Sequence, residues 1–173
     1  MTESNATTVQ YVTFQLGDEL FGVEVGRTRE ILSLIPVTSV PQTPDYMLGV
    51  INLRGQVVPV VDMRCKLGMP SAEATQDSCI IVLEVLVDDD TLVVGARADA
   101  VREVLEINVE QIEPAPRLGT RLNTEYIRGM GKVGDQFIIL LNIDRVFSSD
   151  ELILVQEVGE QGSAEDVAEN EAV

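Results

Sequence analysis

Apolar and polar residues alternate from Tyr11 to Leu16: Val12, Phe14 and Leu16 share one face, Tyr11, Thr13 and Gln15 the other. This predicts a half-buried strand. Gly17-Asp18 turns the chain into a second strand, Leu20 to Val25. The mixed stretch Arg27 to Ser33 reads either as a turn of helix or as an irregular strand. Pro36, Pro41 and Pro44 then predict an extended connector, because each proline biases its predecessor away from helix. Leu48 to Asp62 follows as two Val- and Ile-rich runs broken at Asn52-Leu53-Arg54-Gly55, the pattern of a hairpin with a tight turn. Gly55 supplies the positive φ that such a turn needs. After a turn through Lys66-Leu67-Gly68-Met69-Pro70, residues 70–78 read as a loop between two halves.

Cys79 to Val87 is a near-continuous apolar strand, with Asp88-Asp89-Asp90 as its turn and Thr91 to Arg97 as its return. No Gly or Glu follows the three Asp at calcium-loop spacing, which favours a solvated hairpin tip. Val101 to Ile107 is a further strand, residues 108–122 a connector bearing Pro114 and Pro116, and Gln136 to Asn142 the last strand. Ser148-Ser149-Asp150-Glu151 fits a capping box opening a helix over residues 149–158, with Leu152, Ile153 and Val155 turned inward. Residues 1–8 are polar and expected to be loose, and residues 157–173 carry six acids and no base, an acidic tail too poor in apolar residues to fold alone.

The chain repeats itself. Gly22 and Arg29-Glu30-Ile31-Leu32 recur 73 positions later as Gly95 and Arg102-Glu103-Val104-Leu105. Tyr46-Met47-Leu48-Gly49 returns 80 positions later as Tyr126-Ile127-Arg128-Gly129, and Gln56 to Arg64 matches Gln136 to Arg145 in character. Order and spacing hold across three blocks. They predict two similar β units of about five short strands each, a size typical of closed barrels, one over 9–69 and one over 79–156. A groove between two such units is a natural binding place.

Charge narrows the partners. The 173 residues carry a formal net charge of −17, which repels nucleic acid and anionic membrane, so neither is an expected partner. No apolar run reaches the roughly 18 residues of a membrane span, and the N-terminus lacks signal-peptide character, so the chain reads as cytoplasmic. His and Trp are absent, which removes the commonest general base and the best stacking platform. Cys65 and Cys79 stand without His or further Cys, and free thiols are expected rather than a zinc site or a disulfide. Gly129-Met130-Gly131-Lys132-Val133-Gly134 spells a dinucleotide fingerprint, but a strand follows it instead of a helix. Those glycines are assigned to a hairpin turn, and no cofactor is expected. No pair of carboxylates is marked out for acid–base work, so the chain is not read as an enzyme.

Two groups invite a partner. Arg54, between two apolar strands, is either a solvated turn residue or a handle offered to something else. Glu30 and its repeat-mate Glu103 are either surface charges at a strand edge or partners for an arginine, with Arg54 the nearby candidate for Glu30.

Gly49-Val50-Ile51-Asn52-Leu53-Arg54-Gly55, then Val58-Pro59-Val60-Val61-Asp62-Met63-Arg64, resembles the signature of the CheW-type chemotaxis coupling proteins. Further matching blocks are Phe14-x-Leu16-Gly17, Glu30-Ile31, Gly95, Gln111-Ile112-x-Pro114-Ala115-Pro116, Glu125-Tyr126-Ile127-x-Gly129 and Leu140-Leu141-Asn142-Ile143, in one register over residues 9–156. The resemblance implies a mostly β fold: two five-stranded SH3-like barrels related by a pseudo-two-fold and joined through interlaced strands, with short connecting helices and a C-terminal helix. It implies a non-catalytic adaptor, recruited to membrane-associated arrays, between the cytoplasmic tip of methyl-accepting chemoreceptors and the regulatory domain of the chemotaxis histidine kinase. The alternative reading is a coupling protein of the same fold in a chemosensory pathway outside motility. The family's receptor-contact arginine falls on Arg54, with Asn52 beside it, and its nearby glutamate on Glu30. Groove residues fall on Thr28, Gly49 and Val94, and the kinase-facing surface on Val101 and Val104. Thr28 stands where the family usually has an apolar residue.

Overall fold

The computed structural model describes residues 7–41, 43–70, 72–87, 90–114 and 126–146. The expected capping box and helix over 148–158, the acidic tail, the hairpin tip at Asp88-Asp89 and Pro116 lie outside the described residues.

Ten strands run in chain order: β1 (Thr8–Leu16), β2 (Glu19–Glu24), β3 (Thr28–Ser33), β4 (Met47–Leu53), β5 (Gln56–Asp62), β6 (Cys79–Val87), β7 (Asp90–Ala98), β8 (Ala100–Asn108), β9 (Ile127–Val133) and β10 (Gln136–Leu141). Two short helices, α1 (Met63–Lys66) and α2 (Ile143–Val146), follow β5 and β10. The ambiguous stretch after Val25 resolves into a 3-10 turn, Val25–Arg27, and an irregular strand whose register shifts between Thr28 and Glu30. The reading of Gly129 and Gly131 as turn residues is corrected: both lie inside β9, a strand the sequence reading left out, and only Gly134 (φ 61°) turns the chain.

The strands form two five-stranded sheets, β8-β1-β2-β10-β9 and β3-β6-β7-β5-β4. The second, the central sheet, is built from the continuous segment 28–98; the first, the terminal sheet, combines strands from both sides of it. The chain passes between sheets at Val25–Arg27 and at Asp99, while the loop at 70–78 joins α1 to β6 within the central sheet. The two strand orders superpose as β3 on β8, β6 on β1, β7 on β2, β5 on β10 and β4 on β9. Even the parallel pairs correspond, with Gly22 opposite Leu140 and Gly95 opposite Val60. That is the repeat seen in the residues, now expressed as a pseudo-two-fold.

Among the described residues neither sheet closes by a full ladder. A single antiparallel bridge ties the segment after each outer strand to the opposite edge, Thr38 to Val50 in the central sheet and Glu113 to Met130 in the terminal one. Gly129 belongs in β9 for this reason: a Cβ there would stand 2.4 Å from Ile112 Cγ2 and 2.7 Å from the Glu113 carbonyl oxygen.

Most strands are buried on both faces, which explains near-continuous apolar runs such as β6. Ile81, Leu83 and Val85 face a large shared core between the sheets, with Phe14, Leu16, Phe21, Val23, Val94, Met63 and Val146. Ile80 and Val82 face a smaller cluster inside their own curled sheet, as Tyr11, Ile138 and Leu140 do in the other. Phe14 and Phe21, directly opposite on β1 and β2, stack with ring centres 5.9 Å apart. Each large side chain so buried contributes about 1.5–3 kcal/mol.

Two clasps bolt the ends of this seam. Asp99 accepts the Gly17 N–H (2.7 Å) and the Arg64 Nε–H (2.9 Å). At the other end Asp144 accepts the Leu86 N–H (3.0 Å) and the Arg27 Nη1–H (3.0 Å), while Arg27 Nε–H also reaches the Glu84 carbonyl (3.1 Å). The Arg64 bonds hold the Asp99 carboxyl below the usual carboxylate range, against the effect of burial. Burial alone would raise Asp144, but the hydrogen bonds from Arg27 and Leu86 outweigh it and hold it low.

Candidate functional site: a forked ion pair at a hairpin tip

Leu53 pairs with Gln56, leaving Arg54-Gly55 as a two-residue hairpin turn. Both residues have positive φ, 52° at Arg54 and 85° at Gly55, which is the type I′ turn whose twist suits a hairpin. Among the described residues Arg54 is the only non-glycine with positive φ. Holding a side chain there costs about 1–2 kcal/mol, so the surroundings must over-determine it. Asn52 does part of this: its side-chain oxygen accepts the Gly55 N–H at 2.9 Å.

Glu30 does the rest from the facing edge. β3 carries a bulge between Thr28 and Glu30, which re-aims the residues after it. Arg54 Nη1 then donates to Glu30 Oε2 at 2.7 Å and Nη2 to Oε1 at 2.9 Å, a two-pronged fork. The hydrogen bonds from Arg54 hold the Glu30 carboxyl below its ordinary range and push the guanidinium further up. The Arg54 side chain remains 73% exposed against 26% for Glu30. A guanidinium has five N–H donors, so this fork leaves an outer edge able to meet a second carboxylate or a carbonyl. The pair is thus a pre-set, outward-facing hydrogen-bonding fork.

The other sequence-derived site residues are distributed unequally. Thr28, half-buried two positions before Glu30, donates its hydroxyl to the Glu24 carbonyl (3.1 Å) across the 3-10 turn. Gly49 is buried, with φ 144° and an added Cβ only 2.0 Å from the Thr38 carbonyl oxygen; it lets the bridging segment lie on β4. Val94 is fully buried in the shared core, so its side chain reaches no surface. The structure therefore joins Arg54 to Glu30 and puts Asn52 in the same turn, with Thr28 two positions from Glu30, while Gly49 lies against Thr38 and Val94 in the shared core.

Val101 and Val104 lie on β8 in the other sheet. Val104 is 53% exposed, and Val101 lines a groove of about 380 Å³ where β8 meets the end of β3. Ile31, Leu32 and Ser33 form the opposite wall. Ile31, itself 41% exposed, was missed as a site residue, although the repeat that pairs it with Val104 marks two aliphatic side chains left in water on equivalent edge strands. Val133 and Phe137 are exposed beside the β9–β10 turn as well. Burial pushes both free thiols up, Cys65 half-buried and Cys79 fully so, which leaves them poor nucleophiles. Among the described residues no group of three or more Cys, Asp or Glu is placed to hold a metal, and no helix is long and apolar enough to cross a membrane.

Comparison with known proteins gives a consistent picture. The family model described as "CheW-like domain" matches residues 10–151. The chain is 37% identical over 149 residues to a protein of Klebsiella aerogenes named "Chemotaxis protein CheW", covering 86% of this chain and 87% of that one. It is 38% identical over 142 residues to a protein of the same name from Rhizobium meliloti, covering 82% and 89%. Among solved structures it is similar to the scaffolding protein TtCheW from Thermoanaerobacter tengcongensis, with a TM-score of 0.74 and 32% identity over 84% of this chain and 96% of that one.

Proposed function

The chain belongs to the CheW-like domain family, and from that premise we propose that it is a chemotaxis scaffold that couples transmembrane chemoreceptors to the chemotaxis histidine kinase without catalysing a reaction. The observation that carries the reading is the Arg54–Glu30 fork. An arginine is held in a strained conformation by two neighbours and left largely in water, an arrangement with little use to the fold and a clear use to a partner.

On this reading the receptor's cytoplasmic tip docks on Arg54, Glu30, Asn52 and Thr28. The kinase's regulatory domain docks along β8, at Val101 and Val104. The protein works at the cytoplasmic face of the membrane, brought there by the receptor.

Capture of purified receptor cytoplasmic fragments tests it. Arg54→Ala is expected to weaken capture about tenfold or more, because it removes the anchoring cation and leaves Glu30 without its fork. Arg54→Glu is expected to abolish capture by setting two carboxylates face to face. In a reconstituted receptor–kinase assay the parent raises kinase activity and both variants do not. Variants that bind and activate like the parent would overturn the assignment of Arg54.

A further inference from the structure

The seam between the two sheets contains a buried cation that neither docking face uses. Lys66 ends α1 with only 8% of its surface exposed. Its ammonium lies 5.0 Å from the centre of the Tyr46 ring and 5.2 Å from that of Tyr126, and 3.4 Å from the Tyr126 hydroxyl. The two tyrosines are repeat-mates, 80 positions apart. Each opens the path into an edge hairpin, and each offers its carbonyl to the residue that starts the following helix. Asp62 N–H donates to Tyr46 at 2.7 Å and Asn142 N–H to Tyr126 at 2.9 Å. One ammonium from one half is therefore gripped by matching rings from both halves. The position equivalent to Lys66 is Val146, fully buried in the shared core.

Most of that core is apolar, and apolar burial has no direction: between the end clasps at Arg64–Asp99 and Arg27–Asp144, two curled sheets can still adjust against each other while burying nearly the same area. A cation over ring faces behaves differently, since its attraction fades once either ring moves beyond about 6 Å. We infer that Lys66 is a positioning residue that selects one seating of the terminal sheet on the central sheet. It thereby sets how the β3 edge, which carries Glu30, stands relative to the β8 edge, which carries Val104. The consequence for docking rests on the function proposed above; the seating itself is a property of the isolated protein.

The test is made on the full chain, isotope-labelled. Backbone residual dipolar couplings are fitted separately for the two sheets in the parent, Lys66→Met, Lys66→Arg and Tyr126→Leu. The parent is expected to need a single alignment tensor. Lys66→Met and Tyr126→Leu should keep the ladders within each sheet but require two differently oriented tensors, or show doubled amide signals at seam residues such as Leu83 and Ile139. Lys66→Arg, which keeps a cation over the rings, should return to one tensor. Removing one member of a buried charged network lowers stability on its own account, so the readout is the tensor and not the unfolding midpoint. Should Lys66→Met fail to fold, Tyr126→Leu decides. A single, parent-like tensor in the folded variants overturns the inference.

Capture assays keep the two ideas apart. With the seating lost, Lys66→Met should bind receptor fragment or kinase regulatory domain alone as the parent does, yet hold both at once about tenfold less well, because the two contacts no longer fit together. Loss of the parent's own binding to either partner would count against the docking reading and not against the seating.

Discussion

The terminal and central sheets share a backbone plan and disagree in side chains. The same bridge ties each outer strand's extension to the far edge, at Thr38–Val50 and Glu113–Met130. The same carbonyl-to-amide bond positions each short helix, from Asp62 to Tyr46 and from Asn142 to Tyr126. Yet Arg54 of one hairpin tip faces Gly134 at the other, and Lys66 of one helix faces Val146. The clasps are even inverted: Arg64 on α1 pairs with an acid at the crossover, whereas its equivalent on α2, Asp144, pairs with an arginine there. Duplicated frames with unlike surfaces teach that the frame is held by backbone bonding and apolar burial, which recur. The chemistry sits where the copies differ.

The sharpest way to break this equivalence is in the core. Phe21 and Val94 are repeat-mates, both fully buried. Phe21→Ala is expected to destabilise by about 3–5 kcal/mol and Val94→Ala by about 2 kcal/mol in urea unfolding, a difference set by removed volume alone. A Val94→Ala protein that kept full stability but lost receptor capture would give that residue a surface role instead.

The two bridge glycines separate the frames next. Gly49→Ala, at φ 144° with its new Cβ 2.0 Å from a carbonyl oxygen, should cost about 3 kcal/mol, and Gly129→Ala, whose Cβ would meet the Ile112 methyl at 2.4 Å and the Glu113 carbonyl oxygen at 2.7 Å without a left-handed φ, somewhat less, about 2 kcal/mol. Equal losses would mean that the terminal sheet is as rigid at its bridge as the central one.

The inverted clasps yield a smaller, pH-dependent effect. Asp99 and Asp144 both titrate below the ordinary carboxylate value in the folded protein, so each adds stability that is present above about pH 4 and fades as pH falls through the lowered values. Allowing for solvent screening, Asp99→Asn and Asp144→Asn should each cost about 1 kcal/mol at neutral pH and flatten the acid limb of the stability curve. An unchanged acid limb would show that the clasps contribute nothing there. Smallest of all for stability is Arg54→Ala, which should leave the unfolding midpoint in place while receptor capture falls; a lowered midpoint would make that arginine part of the frame.

Much of this was legible in the residues, and the gaps have physical causes. Alternation and apolar runs located β2, the β4–β5 hairpin, β6, β7, β8 and β10 to within a residue or two, and β1 to within three at its start, because burial on one or both faces imposes those patterns locally. β9 escaped because Gly129 and Gly131 break its pattern, and Gly129 is required by Ile112 and Glu113, which come from far along the chain. The exchange of strands between sheets was invisible to local pattern, since it depends on the parallel pairings of β2 with β10 and β5 with β7. Glu30 and Arg54 were read as a possible pair, but the left-handed backbone at Arg54 follows from a turn type that Gly55 alone does not specify. Val94 is buried because β7 has apolar neighbours on both faces, so nothing in the strand itself marks which valine meets solvent. Lys66 carries no local signal at all, its rings lying 20 and 60 positions away.

Because the central sheet occupies one uninterrupted stretch, it can assemble while the chain is still being synthesised. The terminal sheet cannot. Its first two strands must wait for partners made much later, as the Thr13 hydroxyl does for the Glu103 carbonyl 90 residues downstream. Such distant pairings close slowly. A half-made molecule would therefore show an ordered middle and two orphan strands with open edges, ready to adhere to a neighbouring nascent chain.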